Sequence, residues 1–132
     1  MYEFNKFQLE WLDALESGKY KQGTKNLKYK LLKGTIKYCC LGVGCELLHL
    51  PSASFSLKTG RKVYEFVTYK CNNANLAPPE LIEALKIRDG GGFIINNITT
   101  KVSSLVDMND SGCSFKEIAK FCRENPEQVF VN

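Results

Sequence analysis

Thr35-Ile36-Lys37-Tyr38-Cys39-Cys40-Leu41-Gly42-Val43-Gly44-Cys45-Glu46-Leu47-Leu48-His49-Leu50-Pro51 decides how the rest of the chain is read. From Cys40 to Leu50 the residues are apolar almost all round a helical wheel, so the stretch predicts a helix buried on most sides and closed by Pro51. Gly42 and Gly44 each cost about 1 kcal/mol of helix propensity relative to alanine, which implies close packing against a neighbouring backbone or a ligand. The residues before it, Thr35 to Tyr38, read as a short strand.

Upstream, Phe4, Phe7, Trp11, Leu12 and Leu15 recur at helical spacing, and Gly18 is placed to end that first helix. The stretch in between, with Gly23 and Gly34, reads as a loop or irregular hairpin. Downstream, Phe55 and Leu57, the turn Lys58-Thr59-Gly60-Arg61, and Val63 to Tyr69 predict two hairpin strands. Asn72 to Asn75 connect them to a helix opened by Pro78-Pro79 and carrying Leu81, Ile82, Leu85 and Ile87. Asp89-Gly90-Gly91-Gly92 ends it and turns into a strand from Phe93 to Asn96; no phosphate-binding lysine and helix follow, as a P-loop requires. Thr99 is the expected cap of a helix carrying Val102, Leu105, Val106 and Met108, which runs into the turn Asn109-Asp110-Ser111-Gly112. Ser114 and Glu117 have capping-box spacing for a last helix, stopped at Asn125-Pro126. Too few residues follow for a helix-turn-helix recognition element.

These elements predict an α+β fold: one compact domain over residues 1–132, with four to five short helices on a small antiparallel sheet or hairpin. The length of 132 residues and the 44% hydrophobic content suit a single core. No apolar run reaches the length of a membrane span, and the start has no secretory pattern, so the expected location is the cytoplasm, with no membrane partner. In that compartment the six cysteines are expected as reduced thiols. One histidine and no C-x-x-C pair give no metal set and imply no cofactor.

Charge is unevenly spread. Lys19, Lys21, Lys25, Lys28, Lys30, Lys33 and Lys37 lie between Gly18 and Tyr38 without an acid, while the whole chain carries a formal charge of only +4. Tyr20, Tyr29 and Tyr38 are interleaved with them, which suits a phosphate-bearing aromatic ligand and equally a solvated loop. Lysine in place of arginine disfavours base-specific reading of DNA.

At Lys37-Tyr38-Cys39-Cys40, a strand end meets a helix start. Three readings stay open there: a thiolate nucleophile favoured by the helix dipole, a seat for a phosphate oxygen, or two small buried hydrophobes. A nucleophile needs a base, and His49, nine residues beyond Cys40, would lie about 13 Å along the same helix and face elsewhere. No catalytic residue is therefore assigned.

Trp11 with Ala14-Leu15, Ser17 to Gly23, Tyr38 to Val43, Asn109 to Gly112, Ser114-Phe115 and Glu117 to Ala119 together resemble a family of small proteins spread through phages, prophages and some bacteria, without a settled general function. These blocks span about a third of the chain, and Gly44 and Met108 depart from the larger apolar residue and the leucine of that pattern. The resemblance implies a viral source and an activity against host defence. Blocks so far apart are expected to converge, with Tyr20, Lys21, Gln22, Lys37, Tyr38, Cys39, Asn109 and Asp110 lining one pocket. Lysines and helix amides would hold phosphates, a tyrosine would stack on a base, and Asn109 with Asp110 would bind ribose hydroxyls. The expected function is sequestration of a nucleotide-derived signal, a cyclic nucleotide or cyclic ADP-ribose-like molecule. The alternatives are a hydrolase or transferase using Cys39 or Cys40, and an inhibitor that binds protein or nucleic acid through its basic face. A homo-oligomer is compatible with each.

Overall fold

The computed structural model describes residues 2–31, 34–59, 62–69, 75–95 and 102–131. Its first helix, α1 (Lys6–Glu16), starts at a reciprocal cap: the Gln8 amide donates to Asn5 Oδ1 at 2.7 Å and the Asn5 amide to Gln8 Oε1 at 2.8 Å. Gln8 then donates through Nε2 to the Leu85 carbonyl at 2.8 Å, so a fully buried amide side chain ties α1 to α3 (Pro79–Leu85). Gly18, at φ +78°, ends α1 as its position in the sequence predicts.

Four strands, β1 (Lys28–Lys30), β2 (Ile36–Tyr38), β3 (Ser52–Thr59) and β4 (Lys62–Tyr69), form an antiparallel sheet in the order β2-β1-β4-β3. The lysine-rich stretch thus contributes a hairpin and not only a loop: Lys28 opposes Tyr38 on β2 and Val67 on β4. Helix α2 (Cys40–Leu47) follows β2 directly. A Cβ on Gly42 would lie 1.7 Å from the Leu27 carbonyl oxygen, so backbone meets backbone there and only glycine fits. Gly44 packs under the end of the Leu81 side chain, where a Cβ would lie 2.6 Å from Cδ1, so a larger residue there would require Leu81 to move.

The remaining helices are α4 (Leu105–Asp110), α5 (Phe115–Glu124) and α6 (Pro126–Val129). The fold among the described residues is α+β, with six helices and one antiparallel sheet. Trp11, Leu12, Leu15, Leu41, Leu105 and Ile118 sit at the centre of the core, and Trp11 Nε1 donates to the Cys40 carbonyl at 2.8 Å. The capping box of Ser114 and Glu117 is present on α5.

Several local expectations need correction. Helix α4 is capped by Ser104, whose hydroxyl accepts from the Asp107 amide, and Val102 precedes it; the expected cap Thr99 lies outside the described residues. Ile87 lies beyond α3, because Lys86 turns left-handed at φ +60° and ends the helix. Phe93 forms a single bridge with Ser104, and Asn96 lies outside the described residues, as do Gly60 and Arg61 of the expected turn and Asn72, Asn73 and Ala74 of the expected connection. Asn109 and Asp110 belong to the last turn of α4 and not to the connection after it.

Candidate functional site

Strand β2 is bordered by β1 on one side and by residues 21–23 on the other. The Tyr38 amide donates to the Lys21 carbonyl at 2.9 Å and the Gly23 amide to the Tyr38 carbonyl at 2.7 Å, a parallel bridge centred on Gln22 and Tyr38. This pairing sets Tyr20 beside Tyr38, their rings edge to face with centroids 5.3 Å apart. Around them lies an open cleft of about 760 Å³. One wall is the loop carrying Lys19, Tyr20 and Lys21; the other comes from Ile36 and Tyr38 of β2 and from Glu46, Leu47 and His49 at the end of α2, with Glu10 contributed by α1. The volume is that of a small-molecule site.

The polar groups of the cleft are fixed to different degrees. Lys28 Nζ lies 3.2 Å and 3.4 Å from the two carboxylate oxygens of Glu46 and 5.5 Å from the centre of the Tyr38 ring. The Tyr38 hydroxyl is hydrogen-bonded to Glu46, and burial, followed by the nearby negative carboxylate, pushes its pKa up to about 12. Tyr38 therefore stays a neutral donor and Glu46 an oriented acceptor. Lys19 covers the Tyr20 ring at 5.6 Å, and both Lys19 and Lys21 are exposed. His49 sits past the end of α2, exposed and at φ +53°.

Of the eight residues expected in one pocket, Tyr20, Lys21 and Tyr38 line this cleft. Four others do converge, but as a hydrogen-bonded knot. Gln22 Nε2 donates to Asn109 Oδ1 at 3.0 Å and to the Cys113 carbonyl at 2.8 Å, and Gln22 Oε1 accepts from the Phe115 amide at 3.0 Å. Asn109, 1% exposed, also accepts from the Cys40 amide at 3.1 Å and donates to the Gly23 carbonyl at 2.8 Å. Asp110 Oδ1 accepts from the Lys25 amide at 2.8 Å, and Cys39 Sγ caps the Gly42 amide at 3.4 Å. Among the described residues no buried side-chain nitrogen or oxygen lacks a partner. The buried Asn109 side chain is therefore spent on holding the fold, while Asp110 contributes Oδ1 to the same knot and stands exposed outside the cleft lining. Lys37 falls outside both groups: the strand alternation that turns Ile36 and Tyr38 to the cleft turns Lys37 to the opposite face, against Gly23.

The start of α2 is likewise closed. Its amides at Cys40 and Gly42 are occupied by Asn109 and Cys39, so no phosphate oxygen can seat there. Nor is a thiolate favoured: burial pushes the Cys39 thiol up to about 11 and the Cys40 thiol well above its ordinary value, and this outweighs the helix amides that lower Cys39. Both behave as small buried hydrophobes, leaving no nucleophile at this position. His49, the histidine considered as a partner base, is not on α2 at all and lines the cleft instead.

Sequence reading missed Lys19, Glu10, Glu46 and His49 as cleft residues. Glu46 carried a signal: an acid on an otherwise apolar helix requires a cation or solvent nearby. Among the described residues no cluster of histidine, cysteine, aspartate and glutamate could hold a metal ion, and no helix is long and apolar enough to cross a membrane.

No curated protein and no solved structure matches the chain. A family model does, over residues 5–126, which take in α1, the Tyr20–Tyr38 cleft, the Gln22–Asn109 knot and α5. The chain belongs to the family described as Domain of unknown function (DUF8296).

Proposed function

We propose that this protein binds and sequesters a nucleotide-derived signalling molecule of the cyclic nucleotide or cyclic ADP-ribose class, in the cytoplasm of a phage-infected bacterial cell, and so keeps a host defence effector inactive. The observation that carries the reading is the cleft of about 760 Å³, in which the half-buried Tyr20, braced edge to face by the buried Tyr38, stands beside Lys19 and Lys21. Such a set stacks on a base while counter-charging a phosphate. The resemblance to small phage proteins supplies the defence context. Binding is favoured over turnover because Cys39 and Cys40, beside the site, are buried and held protonated.

A protein that acts stoichiometrically must bind at about nanomolar affinity, roughly −12 kcal/mol. The test is a thermal-shift screen against cyclic dinucleotides, cyclic mononucleotides, cyclic ADP-ribose isomers, NAD and mononucleotides, followed by chromatography of the ligand released on denaturation. A large shift with the ligand recovered intact supports sequestration. An altered ligand would make the protein an enzyme, and no shift across the panel would move the assignment to a protein partner.

A further inference from the structure

The cleft is charged at two ends. Lys19 and Lys21 stand on the loop wall, while Glu46 and Glu10 stand on the helical walls. A polyphosphate would meet carboxylates as well as lysines, whereas a ligand with one anionic end and one hydrogen-bond-donating end matches both walls. Glu46 is the better prepared acid. Lys28 pairs with its charge and the protonated Tyr38 hydroxyl fixes its orientation, yet its side chain is still 36% exposed. A carboxylate has about four lone-pair sites, and the exposed part of Glu46 borders the cleft, where a ligand hydroxyl can take the place of water.

We propose, resting on the nucleotide reading of this cleft, that Glu46 accepts a ribose hydroxyl and makes the site selective for ribonucleotides of low phosphate charge over their 2′-deoxy counterparts. The assignment replaces Asn109, whose polar atoms are committed to the knot, and Asp110, which does not line the cleft. Hydroxyl donation to an oriented carboxylate is among the stronger neutral-to-charged hydrogen bonds, and its loss is expected to weaken binding at least about tenfold.

The experiment titrates the protein with matched pairs, the ribo and 2′-deoxy forms of cyclic AMP, cyclic GMP, AMP and GMP, by calorimetry. The expected result is at least about tenfold tighter binding of the ribo member of a pair, with the ratio falling to about two or less in Glu46→Ala while affinity for the deoxy member changes little. Equal binding of both members by the unaltered protein overturns the inference but leaves the nucleotide reading intact. A ratio that survives in folded Glu46→Ala overturns the role of Glu46. Failure to bind any member of any pair overturns this inference, while the nucleotide reading falls only if the wider thermal-shift panel is silent as well. Because the first comparison uses the unaltered protein, it stands even if the variant does not fold.

Discussion

The strip from Tyr20 to Gly23 serves both the cleft, through Tyr20 and Lys21, and the knot, through Gln22 and Gly23, and both are built from polar residues that stand out in the sequence. In the knot, Gln22 and Asn109 saturate one another and four backbone groups, those of Cys113, Phe115, Cys40 and Gly23. In the cleft, Lys19 and Lys21 remain exposed and Glu46 keeps solvent access. A cluster of conspicuous polar residues is thus no guide to function until its hydrogen bonds have been traced: one group closes on itself, the other faces outward.

The largest expected effect tests the knot. Asn109→Ala leaves the Cys40 amide, the Gly23 carbonyl and one Gln22 donor without partners, and at about 1–3 kcal/mol for each orphaned buried group the variant should lose about 3–5 kcal/mol in urea unfolding. A loss below about 1 kcal/mol would break the contrast, because the knot would then not hold the fold.

Alkaline pH separates the two regions by window. Cys39, in the knot, has its pKa raised from 9.0 to about 11, and Tyr38, in the cleft wall, from 10.0 to about 12. Each keeps its proton in the folded state while the unfolded chain loses it. The stability each contributes is therefore fully present below its unfolded value and declines as pH rises toward its folded value, by roughly 1 kcal/mol per pH unit for each group. Cys39→Ser retains a side-chain cap for the Gly42 amide and should make the decline shallower between pH 9 and 11, with the raised thiols of Cys40 and Cys122 still contributing; Tyr38→Phe should make it shallower between pH 10 and 12. Thermal unfolding across that range reads both, and identical profiles for the two variants would erase the distinction.

The smallest effect on stability, and the sharpest on binding, belongs to the cleft. Replacing Lys19 and Lys21 together by glutamate should leave stability within about 0.5 kcal/mol, since both are exposed. The same double variant should abolish the thermal shift given by the panel nucleotide that stabilises the unaltered protein most. A retained shift would place the anionic end of the ligand elsewhere.

Elements specified by neighbours in sequence were legible in the sequence. The Ser114–Glu117 box, the Gly18 stop, the buried helix after Tyr38 and the hairpin of β3 and β4 each depend on signals within a few residues. The start of helix α4 differs from the expectation because both Ser104 and the earlier Thr99 can cap by residue type, and the structure uses serine, the stronger N-cap of the two. Convergence of Gln22, Cys39, Asn109 and Asp110 was foreseen, but its meaning was not, since a list of polar residues does not reveal whether their donors and acceptors are already paired. Glu46, Glu10 and His49 were invisible as cleft residues, because they meet the tyrosines only once α1 and the end of α2 pack side by side.

The knot also has a consequence in time. Its long-range side-chain contacts join residues 69 to 93 positions apart, such as Asn109 with Cys40 and Gln22 with Phe115, so each closes a loop of half the chain's length or more. Contacts of that span depend on local turns and hairpins that form faster, so their energy is expected to be largely absent from the folding transition state. Asn109 and Gln22 thus act as a latch on the finished molecule: loosening them should accelerate unfolding much more than it slows folding, which makes this pair of amide side chains a control on the lifetime of the native state.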